Sequence, residues 1–287
     1  MSLKHHLLAA AYYPLRISNS LLRTAGSGHQ GRLRVLIYHD IAPQDEARFA
    51  AHLRWLAKSW RFVDPQHFAE MISGDEAVRE DSLLLTFDDG FASDRRVAEN
   101  VLNPMGIRAL FFVVSHFAAL SGKDDWRGYV ARNIWPGIEP GDVPDHRRNM
   151  TFDDLVYLLE TGHSIGGHTA SHARLSQVAP ENMSAEIAGG ADMLEQRLGV
   201  KIDHFAYTFG DLDSINATAL SVARSRFSFI YTGMRGDNAR DIPPWAIRRD
   251  AITPIDSFSL VGALLEGGAD RRYARNLAEY ESWGEGT

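Results

Sequence analysis

Short apolar runs alternate with segments of helical periodicity along most of this chain. The first runs are LRVLIYHD at 33–40, SLLLTFDD at 82–89 and RALFFVVSH at 108–116. Further strands are predicted at 163–168, 204–210, 227–233 and 245–252. Strands that alternate with helices in this way pair in parallel, and at this chain length a barrel-like α/β fold is favoured. An open, doubly wound sheet is the alternative.

Polar residues mark the carboxyl ends of several predicted strands. They are His39, Asp88, Asp89, His168, Arg248 and Arg249. Parallel α/β barrels build their sites at this end of the sheet. A regular strand sends neighbouring side chains to opposite faces, so Asp88 and Asp89 can enter one pocket only if their strand ends there. Gly90 can supply the unusual backbone angles that such an ending needs.

The composition limits the kinds of site that the chain can build. It has 287 residues, a formal net charge of −7, 12 histidines and no cysteine. This length suffices for one large domain with its own core. The negative charge argues against a nucleic-acid-binding surface, which is usually basic. Because thiolates are absent, any metal ion must be held by His, Asp or Glu side chains.

His168 and His172 in GGHTASHARL form a candidate pair of metal ligands. If the chain turns helical after Gly167, residues four apart share one face, and both imidazoles can reach one ion. Two histidines and one carboxylate are a usual ligand set for catalytic zinc, with open positions for water and substrate. The spacing alone is a weak signal, because two partly exposed histidines at the start of a helix would look the same. The strand-end aspartates strengthen it.

The ends of the chain differ from its middle. Residues 1–30 contain a short apolar run, interrupted by Pro14, that cannot span a bilayer. They predict an amphipathic leader that caps the domain or touches a membrane surface. A helix that only packs on the barrel and a cleaved signal peptide are the alternatives. Residues 270–287 predict a polar, peripheral tail, and residues 117–150 a long excursion of the kind that lines a site.

Three motifs together resemble the polysaccharide deacetylase family, that is, the NodB-homology or carbohydrate esterase family 4 enzymes. They are LLLTFDDGFASDRRVAENVLNPMGIRALFFVVS, HTASH and FAYTFGD, in the order of the family. The likeness covers about residues 33–255, and it identifies residues 31–269 as the catalytic domain. It implies a distorted (β/α)7 barrel, NodB-like, that hydrolyses N-acetyl groups of amino sugars with a divalent metal, usually Zn²⁺.

The first two motifs carry the metal and the base of this family. The resemblance implies that Asp89, His168 and His172 bind the metal ion. It also implies that Asp88 is the general base that takes a proton from the attacking water. A nearby cation favours the ionised carboxylate that this role needs.

The third motif, AYTFG, departs from the common Arg-x-Pro-Tyr-Gly form. Ala206 stands where the arginine would be, as in one branch of the family, and Thr208 stands where the proline would be. The missing proline leaves the loop less preorganised. The resemblance implies that the backbone N–H of Phe209 stabilises the tetrahedral oxyanion, and Tyr207 and Phe209 are predicted to border the substrate.

Two further roles have no direct match. The family's late Leu-x-His motif, whose histidine is the general acid, is missing, since no histidine follows His204. Expulsion of an amine needs a proton donor. We assign His39 to this role, with His204 as the weaker candidate and a structural role for His39 as the other interpretation. Arg248 or Arg249 could orient Asp88, and we expect Arg248.

Trp126 in KDDWRGY is a candidate sugar platform, because aromatic faces stack on pyranose rings. A solvated loop with one anchoring tryptophan is the alternative.

The function predicted is metal-dependent removal of N-acetyl groups from an amino sugar in a glycan or a lipid-linked glycan precursor. No nucleic-acid partner is indicated. A deformylase or other amidohydrolase, a glycosidase, an Fe(II) oxygenase and a degenerate sugar-binding protein are the alternatives. We expect a cytoplasmic protein, peripheral to the inner membrane, with a secreted or periplasmic location as the second interpretation.

Overall fold

Parallel strands form one curled sheet at the centre of the protein. The computed structural model describes residues 3–24, 31–121, 125–239 and 242–284. Its strands are β1 Leu33–Tyr38, β2 Arg61–Phe62, β3 Ser82–Phe87, β4 Leu110–Val113, β5 Ser164–Gly167, β6 His204–Ala206, β7 Phe229–Tyr231 and β8 Asp250–Ala251. Seven of them are neighbours in the order β7-β6-β5-β4-β3-β1-β8, and the short β2 pairs with the start of β3.

The two ends of this sheet meet. β8 pairs with β1, where Leu36 lies opposite Asp250. Just before β8, Ile247 forms a parallel bridge with Tyr231 at the end of β7. The N–H of Thr232 donates to the carbonyl oxygen of Ile247 at 2.8 Å. This closure confirms the predicted distorted (β/α)7 barrel and contradicts the open doubly wound sheet.

Helices connect the strands and cover the outside of the sheet. They are α1 Leu3–Ala10, α2 Tyr12–Thr24, α3 Glu46–Leu56, α4 Pro65–Ser73, α5 Ala92–Val97, α6 Ser115–Ala118, α7 Trp126–Tyr129, α8 Phe152–Glu160, α9 Pro180–Ser184, α10 Gly190–Leu198, α11 Ala217–Arg226, α12 Phe258–Leu265 and α13 Ala274–Ser282. Within the described ranges, π-helical stretches continue or join them at Ala98–Leu102, Val130–Ile134 and Ala185–Gly189. At α8, Thr151 and Asp154 form a capping box, and Gly162 with a φ of 86° follows the helix.

The apolar runs of β1 and β3 are buried on both faces, as expected for strands of a parallel sheet covered by helices. Val35 and Leu84 belong to a cluster that also takes residues from β4, β6 and β7, which identifies it as the interior of the barrel. Leu36 and Leu85 belong to the larger cluster beneath the surrounding helices. The alternation along each strand therefore separates barrel interior from outer core.

The N-terminal helices pack on the barrel. Both α1 and α2 contact α12, and Tyr12 lies against Gly262 so closely that a Cβ there would be 2.4 Å from its ring. Residues 1–2 and 25–30 of the predicted leader lie outside the described residues. None of the described helices is long and apolar enough to cross a bilayer.

The C-terminal segment is part of the core, so the expectation of a peripheral tail is wrong for residues 270–284. Tyr280 in α13 is fully buried and donates its hydroxyl hydrogen to the carbonyl oxygen of Trp245 at 3.0 Å. Asp270 accepts from the buried guanidinium of Arg34 at 2.7 Å. Polar composition misled the prediction because the buried side chains of Leu277 and Tyr280, together with the pair between Glu281 and Arg248, dock α13 on the core. Residues 285–287 lie outside the described residues.

Candidate active site

Asp88 and Asp89 follow directly on β3, where the strand ends at Phe87. The backbone turns sharply there, with a φ of 79° at Asp89 and 88° at Gly90. Aspartate tolerates this left-handed region better than most side chains because it can hydrogen-bond locally. The turn confirms that the strand terminates at the aspartates. It sends the two side chains to different partners at the rim of the barrel.

His168 and His172 approach Asp89 from the loop after β5. This loop is not the helix that the four-residue spacing suggested: the backbone turns instead through left-handed angles at Thr169 and His172, with φ values of 61° and 66°. Non-glycine residues in this region cost about 1–3 kcal/mol each, and they are concentrated at functional sites. The turn places the Nε2 atoms of His168 and His172 at 3.5 and 3.2 Å from Oδ1 of Asp89.

The donor set fits a divalent cation. Nδ1 of His168 lies 2.7 Å from the carbonyl oxygen of Ala206, and Nδ1 of His172 lies 2.8 Å from that of Asn133. A carbonyl oxygen can only accept, so each Nδ1 carries a hydrogen, and each Nε2 is left to face Asp89. Candidate ligand atoms of the three side chains lie within 4.8 Å of one another. Ligands of tetrahedral zinc are about 3.3–3.6 Å apart for bonds of about 2.0–2.2 Å, so His168, His172 and Asp89 could hold this ion.

Asp88 is held by Arg249, and the expectation that Arg248 orients it is wrong. Nη1 and Nη2 of Arg249 donate to the two carboxylate oxygens of Asp88 at 2.7 and 2.9 Å. Arg248 instead pairs with Glu281 at 3.0 Å. Neighbouring residues of an extended segment face opposite sides. Arg249 therefore points into the barrel, and Arg248 points outward towards α13.

The electrostatics keep both carboxylates ionised. Burial raises the pKa of Asp88, but the guanidinium of Arg249 and the nearby imidazoles of His168 and His39 together lower it by more, so that this pKa lies below its usual range. Burial likewise raises the pKa of Asp89, and hydrogen bonds from His168 and His172, which donate through Nε2 when the rings are protonated, outweigh it and hold this pKa well below the usual range. At neutral pH the site therefore offers two negative charges, of which one faces the imidazoles and the other faces Arg249.

His39 and Asp89 line the same cleft, which has a volume of about 320 Å³. Arg147 also borders it, and this side chain makes a bidentate pair with Asp40 at 2.8 and 3.0 Å. The Arg147 guanidinium stacks on the ring of Trp135 at 3.7 Å from its centroid. The structure thus brings the predicted general acid to the metal-ligand group, with a fixed cation and an aromatic wall beside it.

The third motif forms the other edge of the site. Phe209 has a φ of 65°, and its ring lies 4.9 Å from the imidazole of His172. The hydroxyl of Thr208 donates to the carbonyl oxygen of Ala173 at 2.5 Å, which ties this loop to the histidine loop where the family has a proline. Tyr207 is fully buried and donates to the carbonyl oxygen of Gly210. The expectation that its side chain borders a substrate is therefore wrong, because strand alternation turns it into the core.

The aromatic residue at the cleft is Trp135, whereas Trp126 is not among the residues that line it. Trp126 begins α7, stacks with Arg127 at 4.5 Å and packs against the apolar cluster of the excursion. Sequence reasoning missed Trp135, although the dipeptide Trp135-Pro136 inside a Gly- and Pro-rich excursion is a signal for an aromatic side chain on a turn. His204, the weaker acid candidate, instead contacts the hydroxyl of Tyr231 at 2.9 Å.

The sequence of this chain matches one family of known proteins. The sequence profile of one family, Polysaccharide deacetylase, matches residues 75–226, which is more than half of the chain and includes all three motifs. The chain belongs to the polysaccharide deacetylase family. The resemblance inferred from the motifs is thereby confirmed, and membership supports a hydrolase that deacetylates polysaccharide.

Individual relatives of this polysaccharide deacetylase are distant. YxkH of Bacillus subtilis (strain 168), a protein named provisionally as a polysaccharide deacetylase, is 23% identical over 241 residues, which are 82% of this chain and 76% of YxkH. The structure of IcaB from Ammonifex degensii superposes with a TM-score of 0.66 at 24% identity, covering 83% of this chain and 98% of IcaB. Streptococcus pyogenes deacetylase PplD in complex with acetate gives 0.64 at 20% identity, covering 80% and 96%. These likenesses establish the shared fold.

Proposed function

We propose that this polysaccharide deacetylase is a zinc-dependent hydrolase that removes N-acetyl groups from an amino sugar of a glycan or a lipid-linked glycan precursor. One observation carries the proposal. Asp89, His168 and His172 converge with their ligand atoms facing one another, while Asp88 stands beside them in a separate pair with Arg249. A site that only bound sugar would not need this division between two adjacent aspartates.

The division assigns the first proton transfer to Asp88. A divalent ion in the Asp89 site would polarise the amide carbonyl and acidify a coordinated water. Asp88 accepts the proton as the water oxygen attacks the carbonyl carbon. Arg249 occupies one lone pair on each carboxylate oxygen, and a second lone pair on each oxygen remains for the proton. Because its pKa is low, Asp88 is ionised when the reaction begins.

Two other groups complete the reaction. The backbone N–H of Phe209, presented by the left-handed turn, would stabilise the developing oxyanion. The carbon–nitrogen bond then breaks, acetate forms, and the amine takes a proton from His39, which shares the cleft with Asp89. Trp135 offers an aromatic wall of the kind on which pyranose rings stack.

The test is acid release from a panel of N-acetyl and N-formyl amino sugars and oligosaccharides, including lipid-linked saccharides. We expect acetate release that chelation abolishes and added zinc restores. Asp88→Asn should bind zinc with unchanged affinity and show no turnover, whereas Asp89→Asn should lose zinc. Zinc binding without acyl release from any member of the panel would overturn the proposal in favour of a sugar-binding protein. Equal loss of zinc from both variants would overturn the assigned roles.

We also propose a cytoplasmic location at the inner membrane. The support is that the N-terminal helices α1 and α2 contain no aspartate or glutamate. Fractionation of cells that express the full chain would test this location.

A further inference from the structure

Exposed apolar side chains are concentrated at the N-terminus. Among the described residues, ten large hydrophobic side chains are exposed, and five of them lie on α1 and α2. Tyr13, Ile17 and Leu21 are 67%, 60% and 66% exposed. They are four residues apart on one helix, so they form a single stripe along its outer face. We call these three residues the α2 stripe.

The stripe is presented rigidly, because the opposite face of α2 is anchored. Tyr12 is buried against Gly262, and the amide of Asn19 donates to the Glu266 carboxylate at 2.8 Å. A Cβ at Gly268 would lie 3.0 Å from a methyl carbon of Leu15. The core of this chain packs on the inner face of α2. The α2 stripe on the outer face is therefore free to contact another surface.

Aromatic contacts extend the apolar surface from the α2 stripe towards the cleft. Ring centroids of Tyr13 and Tyr12 are 4.9 Å apart, Tyr12 and Trp55 are 6.0 Å apart, and Trp55 stacks on Phe258 at 5.3 Å. Phe258 is itself exposed, as is Ile255 nearby in the chain. Ile255 directly follows Pro254, which lines the cleft that contains Asp89.

Cations flank this surface, although the chain as a whole carries a charge of −7 and two acids lie beside it: Asp256, between Ile255 and Phe258, and Glu266, which pairs with Arg32. Residues 3–24 contain no aspartate or glutamate. Arg16 is exposed on α2, Arg54 is exposed on α3 beside Trp55, and Lys58 is exposed just after that helix. An apolar stripe with aromatic residues and flanking cations is complementary to an anionic lipid surface. The core of a dimer interface, by contrast, is depleted of charged residues.

We propose that the α2 stripe, together with Trp55, Phe258 and Ile255, docks on the surface of an anionic bilayer. α2 has 13 residues, or about 20 Å at about 1.5 Å per residue, so it lies on the membrane rather than spanning it. Docking in this way brings the mouth of the cleft towards the lipid headgroups, where the saccharide of a lipid-linked substrate lies. The docking itself does not depend on the proposed function.

The test is co-sedimentation of the full chain with vesicles of phosphatidylcholine and phosphatidylglycerol, and with vesicles of phosphatidylcholine alone. We expect binding to the anionic vesicles that weakens with added salt. Substituting all three residues of the α2 stripe by serine should lower the partition coefficient by at least about tenfold. Arg54→Gln with Lys58→Gln should lower it by about thirtyfold, and Ile255→Ser with Phe258→Ser should also lower it.

Val156→Ser is the matched control, because Val156 is an exposed apolar residue on α8 and should leave binding unchanged. The side chains of the α2 stripe, Arg54 and Lys58 are exposed, so the unfolding midpoints of these variants should match that of the original chain. Phe258→Ser also removes the stacking on Trp55, so binding of that variant is measured well below its own unfolding midpoint. Equal binding by the stripe variant and the original chain would overturn the proposal. A second result would also overturn it. In that result the original chain binds neither kind of vesicle and sediments as a dimer, and substitution of the α2 stripe converts this dimer to a monomer.

Discussion

Replacing Arg249 by methionine should destabilise the protein in a pH-dependent way. The side chains of Arg249 and Asp88 are 1% and 5% exposed, and they form a bidentate pair. Methionine fills much of the space of arginine but carries no charge. The substitution therefore leaves the carboxylate of Asp88 buried and unpaired, which is the costly way to break a buried ion pair.

The expected loss is about 3–5 kcal/mol of unfolding free energy at pH 7. In the original chain the pKa of Asp88 lies below its unfolded value, so its contribution is present above that value and lost as the pH falls through the folded pKa. In the variant, burial raises the pKa of Asp88, because the main opposing charge, Arg249, is gone and only His168 and His39 still act against it. Between the unfolded and the folded pKa of Asp88, the folded variant therefore binds a proton that its unfolded chain does not. As the pH falls through this interval, the loss of unfolding free energy becomes smaller by about 1.4 kcal/mol for each pH unit.

Urea unfolding at pH 7 and pH 5, with and without zinc, measures both quantities. Arg248→Met is the control, because Arg248 pairs with Glu281 at the surface, where the two side chains are 21% and 26% exposed. It should cost no more than about 1 kcal/mol at either pH. The reasoning is refuted if Arg249→Met costs no more than Arg248→Met, or if its cost is the same at pH 5 as at pH 7.

Three further predictions concern single side chains. His39→Ala should bind zinc normally and slow hydrolysis by about 10²-fold or more in steady-state kinetics; an unchanged rate would remove His39 as general acid. Thr208→Val removes the hydrogen bond to the carbonyl oxygen of Ala173 in the histidine loop. It should lower the unfolding free energy by about 0.5–1.5 kcal/mol and reduce turnover. Full turnover would show that this hydrogen bond does not position the site. Burial lowers the pKa of His163 from 6.5 to about 4, so the stability that the neutral ring contributes is complete above pH 6.5 and declines as the pH falls towards 4. In urea titrations His163→Gln should therefore lose less stability than the original chain between pH 7 and pH 5, by about 2 kcal/mol, while His116→Gln, at an exposed position, should behave as the original chain does.

The elements of the fold could be predicted because their signals are local. A strand buried on both faces requires a continuous apolar run, and Leu83–Leu85 is such a run. The capping box of Thr151 and Asp154 spans four residues and needs no distant partner. The candidate metal ligands could be named as well, because the motifs that contain Asp89, His168 and His172 resemble those of the family.

The partners of these residues could not be predicted, because they depend on which way each side chain points. Arg248 and Arg249 differ by a single position, and the pairing of Ile247 with β7 decides which of them enters the barrel. Tyr207 points into the core because the alternation of β6, which is paired with β7, continues through it. His168 and His172 converge through left-handed turns rather than through a helix, a backbone path that no spacing of residues encodes.

The sequence by itself determined the order of strands and helices and the polar groups at the strand ends, because these follow from residue type and short-range periodicity. The resemblance of its motifs also singled out Asp89, His168 and His172 as candidate ligands of a divalent ion. Only the tertiary structure decided that Arg249 restrains Asp88, that Trp135 lines the cleft and that α13 belongs to the core. Those contacts join residues far apart in the chain, and closure of the barrel, not local preference, brings them within a few ångströms of each other.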